Sequence, residues 1–234
     1  MAASAAGFSP AAPAEIVASG LIAEYRFDDG AGQVLTDYGG NALHGQLGAT
    51  TGAEATDPTW VTEGLSFDGG DYVKLTPGSV AATTTWTVCF VAKAAAQSAT
   101  ALYAEGRVAT ASPFLIIGSG VTDISALRIY LRTDAATNII LWEAIPAAWD
   151  DTWHFYAARR DGVTFVATMD GFETSNPGTT GVMTLPDAVT IGALIRNSIA
   201  QQWTGSAAWL AVYNRSLTPA EVQQNRAYAL ALLA

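Results

Sequence analysis

Residues 20–47, GLIAEYRFDDGAGQVLTDYGGNALHGQL, decide the fold of this chain. A short apolar stretch through Tyr25 and Phe27 ends at Asp29-Gly30, where glycine supplies a positive φ at little cost. A second turn, built on Asp37, Gly40, Asn41 and Gly45, follows at once. Working outward, short strands keep alternating with Gly, Asn and Asp turns. Val61 to Leu75 alternates into a turn at Asp68, Gly69 and Gly70, and residues 153–171, WHFYAARRDGVTFVATMDG, give two strands joined at Arg160 to Gly162. Strands over 113–118, 126–133 and 138–143 form a further meander, with SGVTD and DAATN as its turns. Evenly spaced short strands of this kind predict an all-β, two-sheet antiparallel sandwich of the jelly-roll type, not alternating β and α units.

Only the end reads as helix. Thr218-Pro219-Ala220-Glu221 is a capping box with proline at the first helical position, which predicts a short C-terminal helix over 219–232. Val222, Ala229 and Leu230 fall near one face, extended by Tyr228 and Leu233, and Gln223, Gln224, Asn225 and Arg226 make the other side polar.

The opening segment, GLSFDGGDYVKL (64–75), TWTVCFVAK (85–93), WHFYAARRDG (153–162), ATMDG (167–171) and VYNRSLTPAE (212–221) stand in the order found in one family. Nearly everything after residue 20 therefore resembles the laminin-G-like domains of the concanavalin A-like lectin/glucanase superfamily. The resemblance implies a jelly-roll domain over 20–234, preceded by an arm over 1–19. It does not select a function, because that superfamily holds lectins, glycosidases, adhesion modules and structural particle proteins. Many of its members hold a structural calcium ion, and Asp28, Asp37 and Asn41 are oxygen donors of the right type. The chain departs from the pattern at the closing strand, where Ala207, Ala208 and Trp209 replace an acidic run. No metal ligand and no cofactor are assigned.

A chain of 234 residues fits one sandwich that buries roughly 70 to 75% of its unfolded surface. Its net charge of -10 argues against a phosphate-backbone ligand, so nucleic acid is not an expected partner. Cys89, the single cysteine, reads as a small core residue on the face of Thr87 and Val91. Residues 1–19 lack any Lys or Arg and are interrupted by Pro10 and Pro13, which is not a secretion-signal pattern, and no run of about 18 apolar residues predicts membrane insertion. A surface-type fold without an export signal suggests release by lysis and a place in a virion, with non-classical secretion to the outside as the alternative. The Ala-, Ser- and Pro-rich arm is expected to pack on neighbouring protein subunits, in a homo-oligomer or on a particle.

Catalysis lacks its residues. Glycosidases on this fold carry an E-x-D-x-x-E strand that holds two carboxyl groups about 5 to 5.5 Å apart, and this chain has no such run. Asp28-Asp29 and Asp150-Asp151 are adjacent pairs whose side chains would point to opposite faces of a strand, and Asp150 and Asp151 read as loop residues, while His44 and His154 read as structural. No catalytic residue is assigned. Sugar binding requires an exposed aromatic platform beside polar groups. Trp86, Trp153 and Trp209 fall at packing positions, which leaves Trp60, Trp142, Trp149 and Trp203. Trp149, flanked by Pro146 and the Asp150-Asp151 pair, is the leading carbohydrate-binding candidate, with Trp142 and Arg107 beside it. The sequence thus ranks a noncatalytic assembly or decoration protein of a bacteriophage-like particle, contacting host surface glycans, above a free carbohydrate-binding lectin, and a glycosidase last.

Overall fold

The computed structural model describes residues 15–76, 79–134, 139–178, 180–184 and 186–233, without the side chains of Ile139 and Ile140. Its strands in chain order are β1 (Leu21–Tyr25), β2 (Val34–Leu35), β3 (Gly45–Leu47), β4 (Thr59–Val61), β5 (Gly64–Asp68) and β6 (Val73–Leu75). Then come β7 (Thr85–Lys93), β8 (Tyr103–Gly106), β9 (Phe114–Ser119), β10 (Leu127–Arg132), β11 (Ile139–Ile145) and β12 (His154–Asp161). The series closes with β13 (Thr164–Met169), β14 (Phe172–Pro177), β15 (Ala188–Ile191), β16 (Leu194–Ile195), β17 (Ile199–Ala200), β18 (Thr204–Tyr213) and the helix α1 (Pro219–Leu232).

Two antiparallel sheets make the sandwich. The first runs β14-β13-β12-β7-β18-β5-β4, with β1 also on β18; the second runs β11-β10-β9-β8-β15-β6-β3-β2. A small β16-β17 hairpin stands apart from both. Pairing of the first strand with the last, Tyr25 opposite Leu210, closes the jelly roll, so the two terminal segments identified in the sequence are hydrogen-bonded neighbours.

Strand β7 shows how the alternation sorts residues. Trp86, Val88 and Phe90 enter the core between the sheets, while Cys89 and Val91 point the other way, into a second apolar layer beneath α1. Cys89 is fully buried there, and burial pushes its thiol pKa up to about 12. Each large side chain so enclosed contributes about 1.5–3 kcal/mol.

The helix begins as the capping box predicts. Thr218 Oγ1 accepts from the Glu221 amide at 3.3 Å, and Glu221 accepts from the Thr218 amide at 2.8 Å. Its buried residues are Val222, Asn225 and Ala229, which corrects the assignment of Asn225 to the polar side. Asn225 Oδ1 accepts the Val17 amide at 2.9 Å and Nδ2 donates to the Tyr213 hydroxyl at 2.8 Å, so the buried amide is satisfied on both ends. Val17 is itself buried against the layer under α1, and the Glu15 carbonyl accepts from Gln224. Of the expected arm, Glu15 and Val17 therefore bond to the chain's own helix, and the Ser19 carbonyl accepts from Arg215; residues 1–14 lie outside the described residues.

Candidate functional site

Trp149, the leading platform in the sequence, is not at the surface. It follows β11 and turns into the core, 2% exposed, with its indole N–H donating to the Ala126 carbonyl at 3.1 Å and its ring 4.9 Å from Tyr156 and 6.4 Å from Trp203. A ring so buried and packed against other aromatics has no face open to a sugar, so Trp149 is a core residue. Trp203 is fully buried as well. Trp142, opposite Ile129 on β10, faces inward and packs half-buried against the main core. Arg107 stands half-buried at the end of β8, on the second sheet. Among the described residues no contact brings Trp149, Trp142 and Arg107 together into one surface.

A different tryptophan lines an open cleft. Trp60 sits on the short edge strand β4, opposite Leu65, with its inner edge against the core and its N–H donating to the Gly32 carbonyl at 2.9 Å. Phe27, Asp28, Gly30, Val61 and Thr62 complete a cleft of about 480 Å³. The backbone shapes it: Phe27 and Gly30 both have positive φ, 56° and 71°, and they turn the chain after β1 back toward β4. Asp28 projects into this opening, its Oδ1 fixed by the Tyr38 hydroxyl at 2.9 Å, and Tyr38 is in turn covered by the Arg26 guanidinium 4.3 Å above its ring. The carboxylate also raises the Tyr38 pKa through that hydrogen bond. A half-exposed indole, an oriented carboxylate and Thr62 thus line one space.

Of the candidate calcium donors, Asp28 lines the cleft, whereas Asp37 and Asn41 bond to the backbone of nearby turns. Asp37 spends both oxygens on backbone amides, Oδ1 on Glu24 and Gly39 and Oδ2 on Leu43, and Asn41 donates to the Ile22 carbonyl. Among the described residues no group of three or more His, Cys, Asp and Glu side chains is placed to hold a metal ion.

His154, at the start of β12, is more than a packing residue. Its Nε2 lies 3.0 Å from Asp150 and 2.8 Å from Thr152, and its Nδ1 2.5 Å from Asp170, which Arg226 of α1 approaches at 3.5 Å. Burial lowers the His154 pKa, but the hydrogen bonds and charges of Asp170 and Asp150 outweigh it and hold the value above 6.5. Asp150, read from the sequence as a solvated loop residue, is 48% exposed yet pairs with this imidazole.

The second sheet carries the other polar surface. Ile117, Ile129, Leu115 and Leu131 point inward, so their neighbours Phe114, Ile116, Arg128, Tyr130 and Arg132 form its outer face, with the β16-β17 hairpin laid over part of it. A groove of about 180 Å³ there is lined by Lys74, Val108, Asp187, Thr190 and Ile195.

A family model described as the Concanavalin A-like lectin/glucanases superfamily matches residues 67–223. No curated protein sequence matches the chain. Among solved structures, domain 4 of AbnA, an extracellular arabinanase of Geobacillus stearothermophilus in complex with arabinotriose, is 17% identical, with a TM-score of 0.64 over 92% of this chain and 98% of that one. The CBM40 of the Ruminococcus gnavus IT-sialidase, bound to alpha2,6 sialyllactose, is 17% identical with a TM-score of 0.52 over 66% of this chain and 86% of its own. NanB sialidase of Streptococcus pneumoniae is 15% identical with a TM-score of 0.56, and the match spans 67% of this chain but only 26% of that enzyme.

Proposed function

Because the chain belongs to the concanavalin A-like lectin/glucanase superfamily, we propose that it is a noncatalytic carbohydrate-binding domain whose sugar site is the Trp60 cleft. The observation that carries this is the half-exposed Trp60 indole facing the same 480 Å³ opening as Asp28 and Thr62. Sugars stack their C–H faces on indoles while their hydroxyls demand acceptors, and a cleft of this volume suits a small oligosaccharide. Asp28 Oδ1 already serves Tyr38, so its second oxygen is the one available to a sugar hydroxyl. The structural neighbours favour carbohydrate binding, since the arabinanase domain matched over nearly its full length was solved with arabinotriose and the CBM40 with sialyllactose.

The two leading readings of the sequence thereby change order. These sugar-bound neighbours support the lectin reading over the assembly reading, and of the expected arm Glu15 and Val17 bond to α1 of the same chain. Titration calorimetry with arabinotriose and other neutral oligosaccharides tests the proposal. Saturable binding, with the sugar recovered uncleaved and the affinity lowered at least about tenfold in Trp60→Ala, is the expected result. Hydrolysis of the ligand, or binding unchanged in Trp60→Ala, overturns it.

A further inference from the structure

The chain has nine arginines in a protein of net charge -10, and their partners divide by sheet. Arg26, Arg159, Arg215 and Arg226 lie on the first sheet or its helix and meet Glu24, Glu173, Glu221 and Asp170. Arg160, also on the first sheet, donates to the carbonyls of Gly162, Thr83 and Gly181. The remaining four, Arg107, Arg128, Arg132 and Arg196, all belong to the second sheet or its hairpin. Among the described residues, which include every Asp and Glu of the chain, none of these four has a carboxylate at ion-pair distance. Glu143 stands opposite Arg128 on β11, but its carboxylate is engaged by the amides of Val121, Thr122 and Asp123.

That face is organised around two rings. Alternation along β10 sends Arg128, Tyr130 and Arg132 outward on consecutive same-side positions. Phe114 stands across from Arg132, its ring 4.8 Å from the half-exposed Tyr130, and Arg196 reaches in from the hairpin to lie 5.5 Å over Phe114. Arg196 Nη1 donates to the Ala111 carbonyl at 2.8 Å, which fixes the fork, but its Nε has no partner. Arg132 Nε is likewise unpartnered, and so are Nε and Nη1 of the fully buried Arg128, whose Nη2 bonds Gln201 and the Thr100 carbonyl. Arg128 lies 5.8 Å from the Tyr130 ring and adds positive charge from beneath the surface.

Planar guanidinium forks match carboxylates two bonds at a time, and partly desolvated ones attract an anion far more strongly than freely hydrated lysines do. A half-exposed tyrosine beside them supplies the apolar ring that a sugar's C–H face requires. A neutral sugar would leave the charge unused. We infer that the outer face of the second sheet, at Tyr130, Arg132 and Arg196, is a second binding site whose ligand is a carboxylate-bearing sugar, a hexuronic or sialic acid residue. This inference rests on the carbohydrate-binding reading but uses a surface separate from the Trp60 cleft.

Calorimetric titration of the full chain with a glucuronate-terminated disaccharide and a sialic acid-terminated trisaccharide tests it, with the carboxamide form of each and neutral lactose alongside. Whichever acid fits, its carboxamide is expected to bind at least about tenfold more weakly, and Arg132→Gln and Arg196→Gln should each cost a similar factor. The wild-type comparison of acid with carboxamide does not depend on how the variants fold. Equal affinity for acid and carboxamide, affinity unmoved by both arginine substitutions, or binding of neutral sugars alone overturns the inference. Loss of neutral-sugar binding in Trp60→Ala reports on the cleft only, so either site can fail while the other stands. If neither acidic nor neutral sugars bind, both fall.

Discussion

Asn225 of the last helix accepts the backbone amide of Val17 at 2.9 Å across 208 residues of chain. That single side chain ties the segment before the first strand to the element after the last one, inside an apolar layer where neither group meets water. Asn225→Ala leaves the Val17 amide and the Tyr213 hydroxyl short of a partner and is expected to cost about 1–3 kcal/mol in denaturant unfolding. Amide exchange at residues 15–19 should rise in the same variant before the strands are affected; unchanged protection there would show that the segment is held by other contacts.

Trp149→Ala removes an indole enclosed by Tyr156 and Trp203 and opens a core cavity. It should destabilise by about 3–5 kcal/mol while leaving the sugar affinity of the folded fraction unchanged. Trp60→Ala, at the edge, should show the opposite balance, with binding lost and the unfolding midpoint moved little. Equal effects of the two substitutions on binding would remove the distinction drawn between them.

The sandwich and the helix were legible because their signals are local. Thr218, Pro219 and Glu221 announce a helix start within four residues, and the alternation of Trp86, Val88 and Phe90 against Cys89 and Val91 is the sorting the two apolar layers show. The site was not legible in the same way. Trp149 beside Pro146 and two aspartates looks like a loop residue, and what encloses it comes from Tyr156 on β12 and from Trp203, 54 positions further on. Trp60 carried a usable signal, a tryptophan in a three-residue edge strand, but the facing Asp28 arrives through positive-φ turns that no periodicity encodes. Arg128, Tyr130 and Arg132 at every second position of a strand were within reach of sequence reasoning, whereas Arg196 joins them only because the β16-β17 hairpin folds over the sheet.

The His154 cluster makes stability depend on pH. The folded protein favours the protonated imidazole between Asp150 and Asp170, with a pKa raised above the ordinary 6.5, so the contribution is complete below about 6.5 and is lost as pH rises through the raised value. Asp150, lowered from 3.8 by its hydrogen bonds to Thr152 and His154, contributes above that pH and loses its share as pH falls through its depressed value. Melting temperatures measured from pH 5 to pH 8.5 should therefore fall on the alkaline side, and His154→Gln should flatten that fall. A wild-type slope matched by the variant would assign the dependence to other groups.

Thr218→Ala deletes one half of the capping box and is expected to cost about 1 kcal/mol, read as a lower unfolding midpoint with unchanged denaturant slope. Because Glu221 also holds Arg215, at 2.7 Å, Glu221→Ala removes the reciprocal cap bond and the ion pair together and should cost more than Thr218→Ala. A smaller effect of Glu221→Ala than of Thr218→Ala would place the ion pair's contribution near zero.

The most direct test of the central claim is a nitrogen-15 NMR titration of the chain with arabinotriose, following the seven indole N–H signals assigned by single Trp→Phe variants. Binding at the cleft predicts that the Trp60 indole and the amides of Asp28 and Thr62 shift first and saturate together, while the Trp149 and Trp203 indoles stay in place. A titration in which the Trp60 signal does not move while another surface shifts would contradict the account, and a spectrum that no neutral oligosaccharide perturbs would remove carbohydrate binding from the cleft.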